Sequence, residues 1–124
     1  MQWAKYLDVA YPGTKPADWD ARMGQLTAML AEPGRMKALQ AMGRTAPVDA
    51  GAQLANVRCP VLVVQGSADP DWAAPRAEGE AIVAALPAGL GRLEMIDGAG
   101  HYPHVQFPAA VATAVLTFLA GVRA

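Results

Sequence analysis

An acid and a base follow two strand-like stretches of this 124-residue chain. Residues 60–65 form an apolar, largely β-branched run that ends at a turn carrying Asp69. A second run, residues 93–96, ends at a turn carrying His101. A carboxylate that accepts from one imidazole nitrogen fixes the tautomer and stabilises the imidazolium formed when the other nitrogen takes a proton. The spacing therefore predicts a general-base couple, with Asp69 and His101 as the candidate catalytic residues.

The segments around this couple favour a strand, helix, strand, helix order. Residues 75–86 have a helical pattern that ends at Pro87, with Ala81, Ile82, Ala85 and Leu86 available for packing. A strand-helix-strand unit closes most readily as a right-handed crossover with parallel strands. Ligands gather beyond the carboxyl ends of such strands, so the acid and the base are expected at one edge. Gly66 and Gly100 are expected to relieve crowding where the chain leaves the strands.

Helices are also predicted on either side of this unit. Pro108 can begin a C-terminal helix whose apolar face is formed by Val111, Val115, Phe118 and Leu119. Residues 1–46 contain no strand candidate, and residues 47–124 hold both strands. Two interpretations of the first region stay open, because its apolar stripe fits either helix-on-helix packing or a lid over an acyl pocket. That stripe consists of Trp19, Met23, Leu26 and Leu30.

Two motifs in this order resemble the closing part of an α/β-hydrolase. Leu54-x-x-Val57-x-Cys59-Pro60-Val-Leu-Val-Val-x-Gly66-x-x-Asp69 resembles the segment leading into the acid, and Gly98-x-Gly100-His101-x-Pro103 resembles the histidine loop. The resemblance extends over residues 49–119. It implies an α/β class, namely a partial α/β-hydrolase fold with a helical lid-like region (1–46) and the C-terminal part of the core (47–124). It further implies esterase-like hydrolysis of a small organic ester, thioester or related bond, with no metal and no cofactor.

The family's nucleophile has no counterpart here. Ser67 is the chain's one serine, and no Gly-x-Ser-x-Gly elbow is present. Ser67 precedes the acid within the same turn, which makes this serine a poor nucleophile. We therefore expect a serine, aspartate or cysteine nucleophile outside this chain, and an inactive isolated chain. The alternative is a noncatalytic remnant or binding subunit that keeps a hydrolase-like pocket.

Neighbouring polar residues offer competing assignments. Asp71 could substitute as the acid, but the Gly66-x-x-Asp69 pattern favours the earlier position. His104 follows His101 by three positions, yet Pro103 opposes the helix that a metal-binding pair would need, and no third ligand is evident. No metal is therefore predicted. Three further residues are interpreted as structural: Asp49 as a helix cap, Asp97 as a turn residue and Cys59 as a buried small hydrophobe.

Composition limits the partners. The net charge of -1 provides no basic stripe, which argues against nucleic acid. No apolar run is long enough for a bilayer, and the first residues lack a signal-type apolar region, so we expect a cytoplasmic protein without membrane contact. Two parallel strands make a poor sheet alone. Besides a small-molecule substrate, we therefore expect the N-terminal half of the hydrolase, or a second copy, at the exposed strand edge.

Overall fold

A computed structural model describes residues 3–122 and divides them into two compact units. One unit contains the described residues up to Lys15 together with those from Gln53 onward, and the other is Pro16–Ala52. The first helix, α1 (Trp3–Ala10), therefore groups with the strands. The lid-like role expected for residues 1–46 stays a prediction.

The second unit is helical, as its sequence pattern predicted. It holds α2 (Trp19–Ala31), α3 (Arg35–Met42) and α4 (Val48–Ala52). Gly34 lies between the first two helices with a φ of 83°, a conformation that glycine adopts without strain. Asp49 was wrongly placed as a cap: α4 already begins at Val48, so Asp49 lies in its first turn. The predicted stripe of α2 is confirmed as its half-buried face: Trp19, Met23, Leu26 and Leu30.

The predicted parallel strand-helix-strand unit is confirmed. A 3-10 turn (Leu54–Asn56) precedes β1 (Val61–Gly66), and α5 (Pro75–Ala85) connects it to β2 (Gly91–Ile96). The two strands pair in parallel from Val61 opposite Gly91 to Gly66 opposite Ile96. Both strands therefore end at the same edge of the sheet, which brings their following loops together.

Helix α5 packs on the sheet through a face that the sequence predicted only in part. Ile82 is half-buried and Leu86 is buried, but Ala81 and Ala85 are exposed. The inward line instead includes Gly79, where an added Cβ would lie 2.6 Å from Leu93 Cδ1. Glycine at this position leaves room for the Leu93 side chain between helix and strand.

Two helices complete the unit after β2, namely α6 (Pro103–Gln106) and α7 (Pro108–Val122). On α7, Val111 and Phe118 are half-buried as predicted, whereas Val115 is 37% and Leu119 45% exposed. Nearly every position of α7 is apolar, so spacing alone could not select the covered face. Within residues 3–122, no helix combines the length and apolarity that a membrane crossing requires.

Four buried apolar residues of this unit lie where the end of α1 meets the two strand exits, namely Ala10, Tyr11, Ile96 and Ala99. Leu86, also buried, follows α5 and lies at the opposite end of the sheet, beside Gly91 at the start of β2. The ring of Tyr11 stacks on Tyr102 at a centroid distance of 4.9 Å, beside the predicted base. The best-buried region thus supports the histidine loop.

Candidate active site

The loops that leave β1 and β2 are joined to each other by backbone hydrogen bonds. The Ser67 N–H donates to the Ile96 carbonyl at 3.0 Å, and the Ala68 N–H donates to the Ala99 carbonyl at 2.8 Å. A Cβ at Gly66 would overlap the carbonyl oxygens of Ala99 and Gly100. The glycine predicted to relieve crowding therefore permits this approach, which carries the acid toward the base.

The histidine loop is also attached to the N-terminal segment. The His101 N–H donates to the Ala10 carbonyl at 2.9 Å. A Cβ at Gly100 would overlap that same carbonyl, so this second glycine is required as predicted. Gln106 adds a bridge, because its Oε1 accepts from the Gly100 N–H and its Nε2 donates to the Pro12 carbonyl, each at 2.8 Å. Gly100 and His101 are thereby both attached to the N-terminal segment.

The structure brings the two predicted site residues into contact. Nδ1 of His101 lies 3.1 Å from both Oδ1 and Oδ2 of Asp69. The Asp69 side chain is 5% exposed, whereas that of His101 is 36% exposed. An ionised carboxylate can only accept hydrogen bonds, so this contact favours the tautomer that carries its proton on Nδ1. The other ring nitrogen then keeps a lone pair and can act as a base.

The buried carboxylate of Asp69 has further donors. Gln65 Nε2 donates to Oδ2 at 3.0 Å, and the backbone N–H of Asp71 donates to Oδ1 at 3.0 Å. A buried charge is costly unless hydrogen bonds compensate for its lost hydration. These two donors hold the carboxylate in position and leave both of its oxygens facing the imidazole.

A second carboxylate reaches the same ring nitrogen. Asp71 Oδ2 lies 3.3 Å from His101 Nδ1, and the Tyr6 hydroxyl donates to Asp71 Oδ2 at 3.1 Å. Burial, followed by the hydrogen bond to Asp71, raises the pKa of Tyr6 well above its usual range. Tyr6 therefore remains a hydrogen-bond donor at neutral and moderately alkaline pH.

Aromatic rings flank the imidazole. Tyr102 lies edge-on to His101 at a centroid distance of 5.0 Å, and Tyr6 does so at 6.3 Å. Burial, together with the negative charges of Asp71 and Asp69, raises the pKa of Tyr102. Sequence reasoning did not identify Tyr6 as part of the site, nor the two glutamines, Gln65 and Gln106. No local sequence pattern linked Tyr6 to the acid.

The carboxylate oxygens and the imidazole nitrogen of the site also lie close enough together to bind one metal ion. Asp69, Asp71 and His101 each offer one ligand atom, and these atoms lie within 4.8 Å of one another. The sequence-based prediction of no metal considered His104 instead, which is exposed on α6. Because hydrogen bonds and charge attraction already account for the contacts among these three residues, no step of the chemistry below is assigned to a metal.

Neither Ser67 nor Cys59 has the surroundings of a nucleophile. The Ser67 hydroxyl donates to Asp97 Oδ1 at 3.1 Å and accepts from the Gly98 N–H at 2.8 Å, so it links the two turns. Cys59 is exposed, and its prediction as a buried residue was wrong. Cys59 was expected to be buried as part of the strand, but β1 begins only at Val61. Cys59 precedes the first residue of β1, whereas Asp69 follows the last residue of the same strand.

Comparison with known proteins assigns the chain to a family. The profile described as "Alpha/beta hydrolase family" matches residues 2–114. A polyketide synthase, ThaQ of Burkholderia thailandensis, is 35% identical over 116 residues, which cover 91% of this chain and 5% of that protein. The solved structure of Rv0554 from Mycobacterium tuberculosis is 26% identical, with a TM-score of 0.52, over 98% of this chain and 50% of that one. The chain thus spans a small part of the first relative and half of the second.

Proposed function

The chain belongs to the alpha/beta hydrolase family, and we propose that it supplies the acid and the base of a triad that cleaves a small organic ester or related bond. The contact at 3.1 Å between His101 Nδ1 and both carboxylate oxygens of Asp69 is the observation that carries this proposal. It joins a buried anion to a part-exposed imidazole where two parallel strands end, the place where ligands of such sheets bind.

In the proposed reaction, the free ring nitrogen of His101 removes a proton from the nucleophile as it attacks the carbonyl carbon. Asp69 stabilises the resulting imidazolium without taking its proton. The imidazolium then donates that proton to the leaving group as the bond to the acyl carbon breaks. In the second half, the same nitrogen takes a proton from water, which attacks the acyl intermediate, and returns it to the nucleophile. An aspartate nucleophile, which has no proton to lose, would instead attack an alkyl carbon whose leaving group departs as an anion, such as a halide, and would use His101 only to activate the water.

We place the nucleophile on a polypeptide segment outside this chain. The two hydrogen bonds of Ser67 support this placement, because they engage its hydroxyl with Asp97 and Gly98. Among the described residues, β1 pairs only with β2, which leaves its other edge open. That edge suits either the N-terminal half of the hydrolase, with its nucleophile, or a second copy of this chain.

A second candidate follows from the same engagement of Ser67. Because Asp97 and Gly98 engage the hydroxyl of Ser67, the chain could serve as a noncatalytic binding subunit that holds an ester without turning it over. The two candidates differ in one measurable property: only the first gains hydrolytic activity when a nucleophile-bearing segment is added.

The test combines a fluorophosphonate probe with an ester and an acyl thioester substrate. We expect neither labelling nor turnover by this chain alone, and turnover once it is assembled with a segment carrying a nucleophile. His101→Gln should then abolish turnover, while His104→Gln, a matched control at the exposed histidine of α6, should retain it. Turnover that survives His101→Gln would remove His101 from the mechanism, and probe labelling of Ser67 would refute an external nucleophile. Substrate binding without turnover in the assembly would favour the binding subunit.

A further inference from the structure

We propose that Asp71 is a positioning residue whose carboxylate, beside that of Asp69, favours the proton on Nδ1 of His101, so that two carboxylates, rather than one, orient the base. This inference rests on the proposed function for its catalytic consequence, but the arrangement itself can be tested without catalysis.

Three carboxylate oxygens surround His101 Nδ1. Two belong to Asp69, which accepts hydrogen bonds from Nδ1 at 3.1 Å, and the third is Oδ2 of Asp71, an ion-pair contact at 3.3 Å. Both carboxylates only accept when ionised, so each favours a proton on the nitrogen it faces. The Asp71 backbone N–H is also bound to Asp69 Oδ1, which fixes the Asp69 carboxylate relative to the Asp71 backbone. A proton on Nδ1 is thus hydrogen-bonded to Asp69 and has a second negative charge close by.

Tyr6 keeps the Asp71 carboxylate in this place. Its hydroxyl donates to the same Oδ2 that faces the imidazole. The Asp71 side chain is 35% exposed, so without such a donor it would turn toward water at little cost. The titratable groups that face His101 are therefore the two carboxylates from the loop after β1, Tyr6 from α1, and the adjacent Tyr102.

The consequence is that His101 should keep its orientation when Asp69 loses its charge. Where a single aspartate sets the tautomer of a catalytic histidine, its replacement by asparagine costs about 10⁴-fold in turnover. With Asp71 still in place, we expect Asp69→Asn to cost only about 10- to 100-fold in the assembled hydrolase. The double variant Asp69→Asn/Asp71→Asn should show the full loss of about 10⁴-fold.

The direct test reads the tautomer of the chain by ¹⁵N NMR at a pH of about 9, where histidine side chains are ordinarily neutral. His104→Gln serves as the background, because the chain has two histidines and this leaves His101 alone. We expect the proton on Nδ1 in the parent, in Asp69→Asn and in Asp71→Asn. In the double variant it should move to the other ring nitrogen. Asp97→Asn is the matched control, since Asp97 contacts Ser67.

Two results would overturn the proposal: a changed tautomer in Asp69→Asn alone, or an unchanged one in the double variant. If Asp69→Asn does not fold, the proposal is tested instead in Asp71→Asn and Tyr6→Phe. There, the rate at which the Nδ1 proton of His101 exchanges with water is measured. Losing the second carboxylate should speed that exchange about two- to fivefold, the effect of a part-exposed ion pair, and an unchanged rate refutes the role of Asp71. Because the tautomer is read without substrate, an assembly that has the expected tautomers and no turnover would count against the proposed function alone.

Discussion

Replacing Gly66 with alanine tests whether the close approach of the two strand exits holds the acid beside the base. The added carbon would overlap two carbonyl oxygens and lie 2.8 Å from the carbonyl carbon of Ala99. Ordinary contact begins near 3.4 Å and the two oxygens lie closer to the added carbon than this carbonyl carbon does, so the carbonyls must retreat by about 1 Å. A retreat of that size would lengthen the hydrogen bond from the Ala68 N–H to Ala99 from 2.8 Å to about 3.8 Å, beyond the limit for such a bond.

The cost can be approximated from these two effects. Overpacking a tight site costs about 1–3 kcal/mol, and weakening one backbone hydrogen bond costs about 0.5–1.5 kcal/mol. We therefore expect Gly66→Ala to lower the free energy of unfolding by about 2–4 kcal/mol. The measurement is urea denaturation followed by far-UV circular dichroism, with the parent chain and the variant at the same concentration.

Gly121→Ala provides the matched control for this measurement. Gly121 lies in α7, and its nearest neighbour would be Arg92 Nη1, at an ordinary contact of 3.7 Å. Alanine should there be neutral or stabilise the chain by up to about 1 kcal/mol. A Gly66→Ala variant within about 0.5 kcal/mol of the parent would refute the reasoning, because the loops would then have room to separate without cost.

Two further predictions concern Tyr6 and the open strand edge. Because the pKa of Tyr6 is raised in the folded chain, its contribution to stability is complete below pH ~10, the ordinary tyrosine range, and is lost as pH rises above it. Unfolding experiments from pH 8 to 11 should show a steeper decline for the parent than for Tyr6→Phe, and parallel curves would contradict the assigned burial. In analytical ultracentrifugation at micromolar concentration, the isolated chain should sediment as a dimer or larger species; a folded, monodisperse monomer would exclude association through β1.

The parallel unit and the meeting of acid and base follow from short-range sequence signals. A β-branched run that stops at Gly66, and a second run followed by Gly100, each indicate where a strand ends and a tight exit begins. Parallel pairing then requires both exits to lie at one edge of the sheet. These signals predicted that the loops carrying the acid and the base would meet, while the choice of Asp69 over Asp71 depended on the resemblance to the hydrolase segment.

The supporting contacts were not predictable, because they join segments that are distant in sequence. Tyr6 and Asp71 are 65 positions apart, and Gln106 lies 94 positions from Pro12. No periodicity or motif encodes such pairs, because they form only when α1 and the segment after it pack against the loops that follow β1 and β2. The exposed side of α7 was missed for a related reason. Its uniformly apolar composition leaves the choice of covered face to tertiary packing, as the exposure of Leu119 illustrates.

The hydrogen bonds that attach the histidine loop to Ala10 and, through Gln106, to Pro12 have a consequence for anyone who shortens or splits this chain. A version that starts at β1 would retain Asp69 and His101 yet remove the backbone oxygens to which the histidine loop is bonded. Its imidazole would be held only by its own loop and by the carboxylates beside it. Designers of split reporters should therefore supply residues 3–15 as a separate peptide and avoid a break in the turn around Trp72, because Asp71 adjoins it.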